Sequence, residues 1–114
     1  MNMLKLFSKK KKEPKVIAVD FDGTLAVTKY PAILKPKKRM IRKIKKHRKN
    51  GDKIILWTCR SRQDLIDAID WCWDNGIYFD AVNENLSDEI IKFKNDPRKI
   101  GADIYYDDKA RRVR

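Results

Sequence analysis

Cysteine, histidine and long apolar runs are all scarce in this chain, and each shortage removes a class of protein. Of its 114 residues two are cysteine, Cys59 and Cys72, and one is histidine, His47. Two thiols are too few for the disulfide framework of a small secreted domain or for a cysteine-based zinc site, and they fit a reducing, cytoplasmic setting. No apolar stretch approaches the ~18 residues needed to cross a bilayer. The opening MNMLKLFSKKKK places its charges after a very short apolar stretch, the reverse of a secretory signal. A secreted mini-protein, a membrane-spanning protein and a cysteine-zinc protein are therefore not expected.

Acids are nearly missing from two stretches. Lys and Arg number 28 against 16 acids, a net charge of +12. Residues 1–15 carry a net +5 and residues 29–53 a net +11, while residues 16–28 and 54–114 each come to −2. Two basic patches thus sit on a mildly acidic remainder, which points either to an anionic partner or to plain solvated surface. With 42 % hydrophobic and 10 % aromatic residues, the length suits one compact domain with a modest core.

Residues 1–14 read as a basic, loosely ordered tail ending at Pro14, and residues 15–114 as the folded domain. Leu4, Leu6 and Phe7 beside Lys9 to Lys12 could touch an acidic membrane, but one short patch binds weakly. Val16 to Val19 is a short β-branched apolar run, as expected of a strand buried on both faces. Residues 37–50 place Met40, Ile41 and Ile44 at helical spacing, with Gly51 as the stop. Residues 54–57 repeat the buried-strand pattern. Ser61 and Asp64 resemble a capping box opening a second helix. Its apolar stripe is Leu65, Ile66, Ile69, Cys72 and Trp73, with Trp71 and Trp73 expected in the core or at its boundary, and Asn75-Gly76 end it. Residues 77–82 read as a third strand, residues 88–93 as a weaker helix and residues 102–106 as a fourth strand.

Strands alternating with helices predict an α/β fold, a parallel sheet covered on both faces and built from right-handed crossovers. Ligands of such sheets bind beyond the carboxyl ends of the strands. Those ends carry Asp20 and Asp22, Thr58, the run Asn83-Glu84-Asn85, and Asp107 and Asp108, so these groups should converge on one edge. Carboxylates held close repel one another, and a hard oxygen-loving cation such as Mg²⁺ relieves that repulsion. An Asp beside such an ion can attack phosphorus, and a second Asp two residues on can protonate the leaving group. Gly23 allows a sharp turn after the first strand that frees backbone N–H groups for phosphate oxygens.

The run VIAVDFDGTL over residues 16–25 resembles the first motif of the haloacid dehalogenase superfamily, four apolar residues followed by DxDGT. IILWT over residues 54–58 is similar to its second motif and YYDD over residues 105–108 to its fourth, in the same order along the chain. WTCR, the NEN after the third strand and the RKIGADIYYDD ending further resemble small capless hydrolases of bacteria and their phages. The resemblance implies a three-layer, Rossmann-like core with four parallel strands in the order 4-1-2-3; with six residues after Asp108, the usual fifth edge strand is not expected. It also implies a Mg²⁺-dependent phosphate monoester hydrolase working through an aspartyl-phosphate. Asp20 is then nucleophile and metal ligand. Asp22 is general acid and then base, holding the metal through its backbone carbonyl. Thr58 binds the transferring phosphoryl oxygen, Asp107 holds the metal, and Asp108 is a ligand or its support. The third-motif lysine is expected at Lys99, with Lys94 and Lys92 as the other positions. Gly23, Thr24, Cys59, Arg60, Asn83 and Glu84 are the candidate substrate contacts, Arg60 projecting from the sheet edge toward an anion.

The 33 residues between Thr24 and Thr58 and the 40 between Thr58 and Lys99 leave no space for a cap domain, so the site should be open, suited to a large substrate or to closure by a neighbouring subunit. An EF-hand reading of DxDG fails, since Thr24 and Pro31 stand where Asp or Asn and Glu are needed. His47 reads as an idle surface histidine, and Cys59 lacks a neighbouring base to make it a nucleophile. Two other functions compete with a general phosphatase. One is a phosphatase of nucleotides or nucleic-acid ends drawn in by the basic patches, although the basic helix shows no interleaved aromatics. The other is a non-catalytic metal or phosphate binder.

Overall fold

In the computed structural model, which describes residues 13–113, the apolar run Val16–Val19 forms β1, the inner strand of a four-stranded parallel sheet. The basic tail expected over residues 1–14, with its membrane contact through Leu4, Leu6 and Phe7, lies outside the described residues except for Glu13 and Pro14. On one side β1 pairs with β4 (Lys53–Leu56), Ile17 beside Ile54 and Val19 beside Leu56. On the other it pairs with β6 (Ile104–Tyr106), Val19 beside Tyr106. β5 (Ala81–Val82) extends the sheet beyond β4. Between β1 and β4 the chain makes an antiparallel hairpin, β2 (Ala26–Lys29) and β3 (Ala32–Pro36), which forms a separate sheet.

Period-two alternation divides the sheet residues between two faces. Ile17, Val19, Ile54 and Leu56 share one fully buried cluster with Ile41 and Ile44 of α1 (Lys38–Lys49) and Ala68 and Cys72 of α2 (Arg62–Asp74). Two successive crossovers moving the same way across a sheet put both helices on the same face when both are right-handed. The opposite face is thinner: Ala18 and Ile55 meet Ile100, with Leu86 and Ala102 partly buried beside them. Leu86 is the residue before α3 (Ser87–Phe93), a helix with no buried residue of its own. Each fully buried Ile or Leu contributes about 1.5–3 kcal/mol relative to exposure, so most of the packing energy lies under α1 and α2. No helix among the described residues is long and apolar enough to cross a membrane.

Several expectations need correction. The hairpin was not expected, and because it takes two places in the count the four parallel strands expected as 4-1-2-3 carry the labels β6-β1-β4-β5. That hairpin occupies residues expected to lead straight into the basic helix. The third strand shrinks from residues 77–82 to Ala81–Val82; Ile77 is buried by packing, after Gly76 turns the chain with a φ of +82°. A Cβ at Gly76 would meet only the movable end of Lys45, so it is the positive φ that disfavours a side chain there. The capping box does not form: Ser61 makes no side-chain cap, and Asp64 instead accepts a hydrogen bond from Tyr30 of the hairpin at 2.8 Å. Trp73 and Ile66, expected on the buried stripe, are exposed, and Trp73 packs edge-on against Tyr78. Trp71 does face inward, edge-on to Phe21.

His47 is not idle. Its Nδ1 lies 2.6 Å from buried Asp52 and its Nε2 2.9 Å from the Tyr106 hydroxyl. Asp52 also accepts hydrogen bonds from the Lys15 N–H and the Asn50 side chain. Burial alone would raise the Asp52 carboxyl, but these donors outweigh it and hold the group below the usual carboxylate range. One carboxylate thereby ties the end of α1 to the start of the sheet.

Candidate metal centre

Asp20 leaves the end of β1, and Asp107 and Asp108 leave the end of β6, the neighbouring strand. Each offers a carboxylate oxygen, and the three lie within 4.8 Å of one another. The Asp20 N–H donates to the Tyr106 carbonyl at 2.9 Å, which extends the strand pairing up to the acids and fixes their spacing. Asp20 is half-buried, and Asp107 and Asp108 are exposed. Burial first, and then the adjacent Asp108 and Asp107, push the Asp20 carboxyl up to about 7, against a partial offset from the Phe21 N–H. The group is therefore short of positive charge.

The loop after β1 is built to hold this geometry. Gly23 has a φ of +80°, and a Cβ there would fall 2.3 Å from Asp108 Oδ2. Only glycine lets the chain turn with the Asp108 carboxylate so near. Thr24 is buried; its hydroxyl accepts the Asp108 N–H at 3.0 Å and approaches Asp20 Oδ2 at 3.5 Å. Thr24 thus joins the two acidic strand ends, which corrects the expectation of a substrate contact. The Gly23 N–H is likewise not free for phosphate, since it donates to the Ala26 carbonyl, and the N–H groups of Thr24, Leu25 and Ala26 all turn back to Phe21.

Asp22 stands apart from the three acids. Arg60 grips it with two bonds, Nε to Oδ2 at 2.9 Å and Nη2 to Oδ1 at 2.8 Å, and the Thr28 hydroxyl adds a third at 2.7 Å. These contacts, the Arg60 bonds foremost, hold the Asp22 carboxyl below its usual range. It is an ionised acceptor, the opposite of a poised proton donor. Arg60 does not project from the sheet edge: it is 2 % exposed, also bonds the carbonyls of Pro31 and Asp64, and lies between the Phe21 and Tyr30 rings, each 5.0 Å away. Its charge is neutralised internally, so it is corrected from a substrate contact to a strut between the hairpin and the loop.

Thr58 follows β4, half-buried, and its Oγ1 accepts the Arg60 N–H at 3.1 Å. Its hydroxyl proton stays available for donation. Asn83 is exposed in the left-handed region at φ 54° and receives the Thr58 N–H on Oδ1 at 2.8 Å, so it positions Thr58. Glu84 and Cys59 are exposed. Cys72 is buried, which pushes its thiol up to about 12 and leaves it inert as a nucleophile. A groove of about 1060 Å³ opens beside the acids, and Asp107, Asp108, Gly23, Thr24 and Lys99 all line it. Lys94 and Lys92 do not line it; Lys94 ends α3, and Lys92 lies over the Phe93 ring. Lys37 was not anticipated. It too lines the groove, and its Nζ donates to the Gly23 carbonyl at 2.9 Å. The sequence signal that could have found it is Pro36, which ends the hairpin and sets the residue before the helix.

Three carboxylates with no His or Cys among them form an oxygen donor set that fits a hard divalent cation and would relieve the repulsion recorded at Asp20. No protein-family model and no curated protein matches the chain. Among solved structures, a conserved protein from Bacteroides thetaiotaomicron is similar at a TM-score of 0.76 and 33 % identity, over 86 % of this chain and 78 % of that one. Identity at that level over most of both chains, with the shared fold, shows common descent. The chain belongs to the family of this conserved Bacteroides protein.

Proposed function

We propose that the protein is a Mg²⁺-dependent phosphate monoester hydrolase with a three-layer, Rossmann-like core of the haloacid dehalogenase type, in which Asp20 is the nucleophile. The observation that carries the reading is the meeting of Asp20, Asp107 and Asp108 within 4.8 Å at the carboxyl edge of a parallel sheet. A bound Mg²⁺ would be held by these carboxylates, with the Asp22 backbone carbonyl as the resemblance implies, and would supply charge neutralisation for phosphoryl transfer. An Asp20 oxygen attacks phosphorus, the bond from phosphorus to the ester oxygen breaks, and an aspartyl-phosphate forms. Water then attacks phosphorus, releases inorganic phosphate and restores the Asp20 carboxylate. Thr58 donates a hydrogen bond from its hydroxyl to a phosphoryl oxygen, and Lys99, from the groove wall, offsets the added negative charge.

For Asp22 to give a proton to the leaving alcohol oxygen and recover it from water, it must first exchange Arg60 for the substrate. That grip is also the observation favouring a second reading, a protein that binds metal and phosphate without turnover. A cytoplasmic setting belongs to the proposal, in keeping with the unpaired Cys59 and Cys72. The test is hydrolysis of p-nitrophenyl phosphate with Mg²⁺. Turnover by the wild type that is lost on Asp20→Asn and on adding EDTA supports the hydrolase. Full activity of Asp20→Asn would remove the nucleophile, and metal binding with no turnover across a broad ester panel would favour the second reading.

A further inference from the structure

The groove beside the acids has walls of a different character from its floor. Seven of its lining side chains are Lys or Arg, against the two acids Asp107 and Asp108. One wall is the start of α1, with Lys37, Lys38, Arg39 and Lys43; the other is formed by Lys99 and the C-terminal segment with Arg111 and Arg112. Lys38, Arg39 and Lys43 are exposed, and no ion pair is formed by them among the described residues. Seven of the 28 basic side chains thus line one groove together with the carboxylates of Asp107 and Asp108.

The aromatic groups missing from the basic helix come from elsewhere in the chain. Trp57, at the end of β4, and Tyr105, on β6, line the same groove, each 37 % exposed, with ring centroids 5.7 Å apart. The Tyr105 ring is anchored, because its hydroxyl donates to the Ile100 carbonyl and accepts the Ala102 N–H. Half-exposed rings and cations lining one groove are what unpaired bases and a phosphodiester backbone require together. A membrane surface cannot follow a concave channel to its floor.

We propose that this groove binds single-stranded nucleic acid, its backbone between the α1 wall and the Lys99–Arg112 wall, its bases against Trp57 and Tyr105, and a terminal phosphate at Asp20. The placing of that phosphate rests on the hydrolase reading, whereas the binding of the strand does not.

The test uses the full chain with a fluorescent single-stranded oligodeoxynucleotide carrying a terminal phosphate, the duplex of the same sequence, and vesicles of phosphatidylserine with phosphatidylcholine. Binding is followed by anisotropy or co-sedimentation in EDTA, so that it is independent of turnover. The single strand should bind more tightly than the duplex, with log K falling by about 0.7 per tenfold rise in salt for each phosphate neutralised. Trp57→Ala should weaken binding about tenfold through lost stacking. Lys38→Glu with Arg39→Glu should weaken it and flatten the salt dependence. These two residues are exposed in the first turn of α1, where acids suit the helix dipole, so the double variant keeps its fold and its melting temperature reports this directly.

Binding that survives the double variant unchanged, a preference for duplex, or binding to vesicles alone would each overturn the proposal. Release of phosphate is measured separately with Mg²⁺. Strand binding without release leaves the groove assignment standing and removes the placing of the terminal phosphate at Asp20, and turnover of small esters without strand binding removes the groove assignment and leaves the hydrolase.

Discussion

Arg60 is the residue whose role is least visible in its type. An arginine two places after Thr58 invites an anion-binding reading, yet its guanidinium is spent on Asp22, on two carbonyls and between two rings. Removing it leaves Asp22 without its main partner and frees the hairpin from the loop. Arg60→Ala should destabilise the fold by about 2–4 kcal/mol in urea unfolding at neutral pH, the upper part of the range being moderated because Asp22 can rehydrate. The pH dependence follows from the direction of the Asp22 shift. A carboxyl held low in the folded state stabilises it above the ordinary value near 4, and that contribution disappears as the pH falls through the folded value. Wild type should therefore lose more stability than Arg60→Ala on going from neutral to acid pH. Equal losses would mean that the pair contributes nothing. The motif residues at 20, 22, 107 and 108 could be picked out from sequence because acids at strand ends are a local pattern. The burial of Arg60 could not, since its partner is 38 residues away and nothing nearby marks it.

Among the elements, the strands of the parallel sheet and all three helices were legible, the weakly patterned α3 included, and the hairpin was not. β1 and β4 are short unbroken β-branched or apolar runs, and α1 and α2 carry Ile41, Ile44, Ala68 and Cys72 at helical spacing toward one face. The hairpin escaped notice because residues 26–36 are half polar and only partly buried, although the Tyr30-Pro31 pair between two β-branched runs was a turn signal. The aromatic wall of the groove escaped for another reason: Trp57 and Tyr105 lie on different strands, so no window of sequence contains both. Beside the packing of Ile41 and Ile44, one carboxylate supplies a polar tie between α1 and the sheet. Asp52→Asn keeps the shape but removes the charge that holds His47, Asn50 and the Lys15 N–H, and it should cost about 1–3 kcal/mol of stability in thermal or urea unfolding at pH 7. Because the Asp52 carboxyl is held low in the fold, that difference should begin to shrink below pH ~4 and disappear once the pH has fallen through the folded value. A loss that persists unchanged into acid would show that shape rather than charge was at stake.

For the molecule as a whole, packing energy and chemistry occupy different places. The core lies under α1 and α2, whereas the acids sit beyond the sheet's carboxyl edge, where backbone pairing fixes their spacing at the expense of mutual repulsion. With its carboxyl pushed up to about 7, Asp20 binds a proton in the fold that the unfolded chain has already released. Its contribution to stability therefore falls as the pH rises from about 4 to about 7. A cation reverses this by competing with the proton. The most direct test is calorimetric titration with Mg²⁺ at pH 6 and pH 8, on the wild type and on Asp107→Asn. The three acids predict one saturable site, tighter at pH 8, releasing protons at pH 6, and weakened at least about tenfold by the substitution. No saturable binding, or binding that is the same at both pH values and in Asp107→Asn, would contradict it.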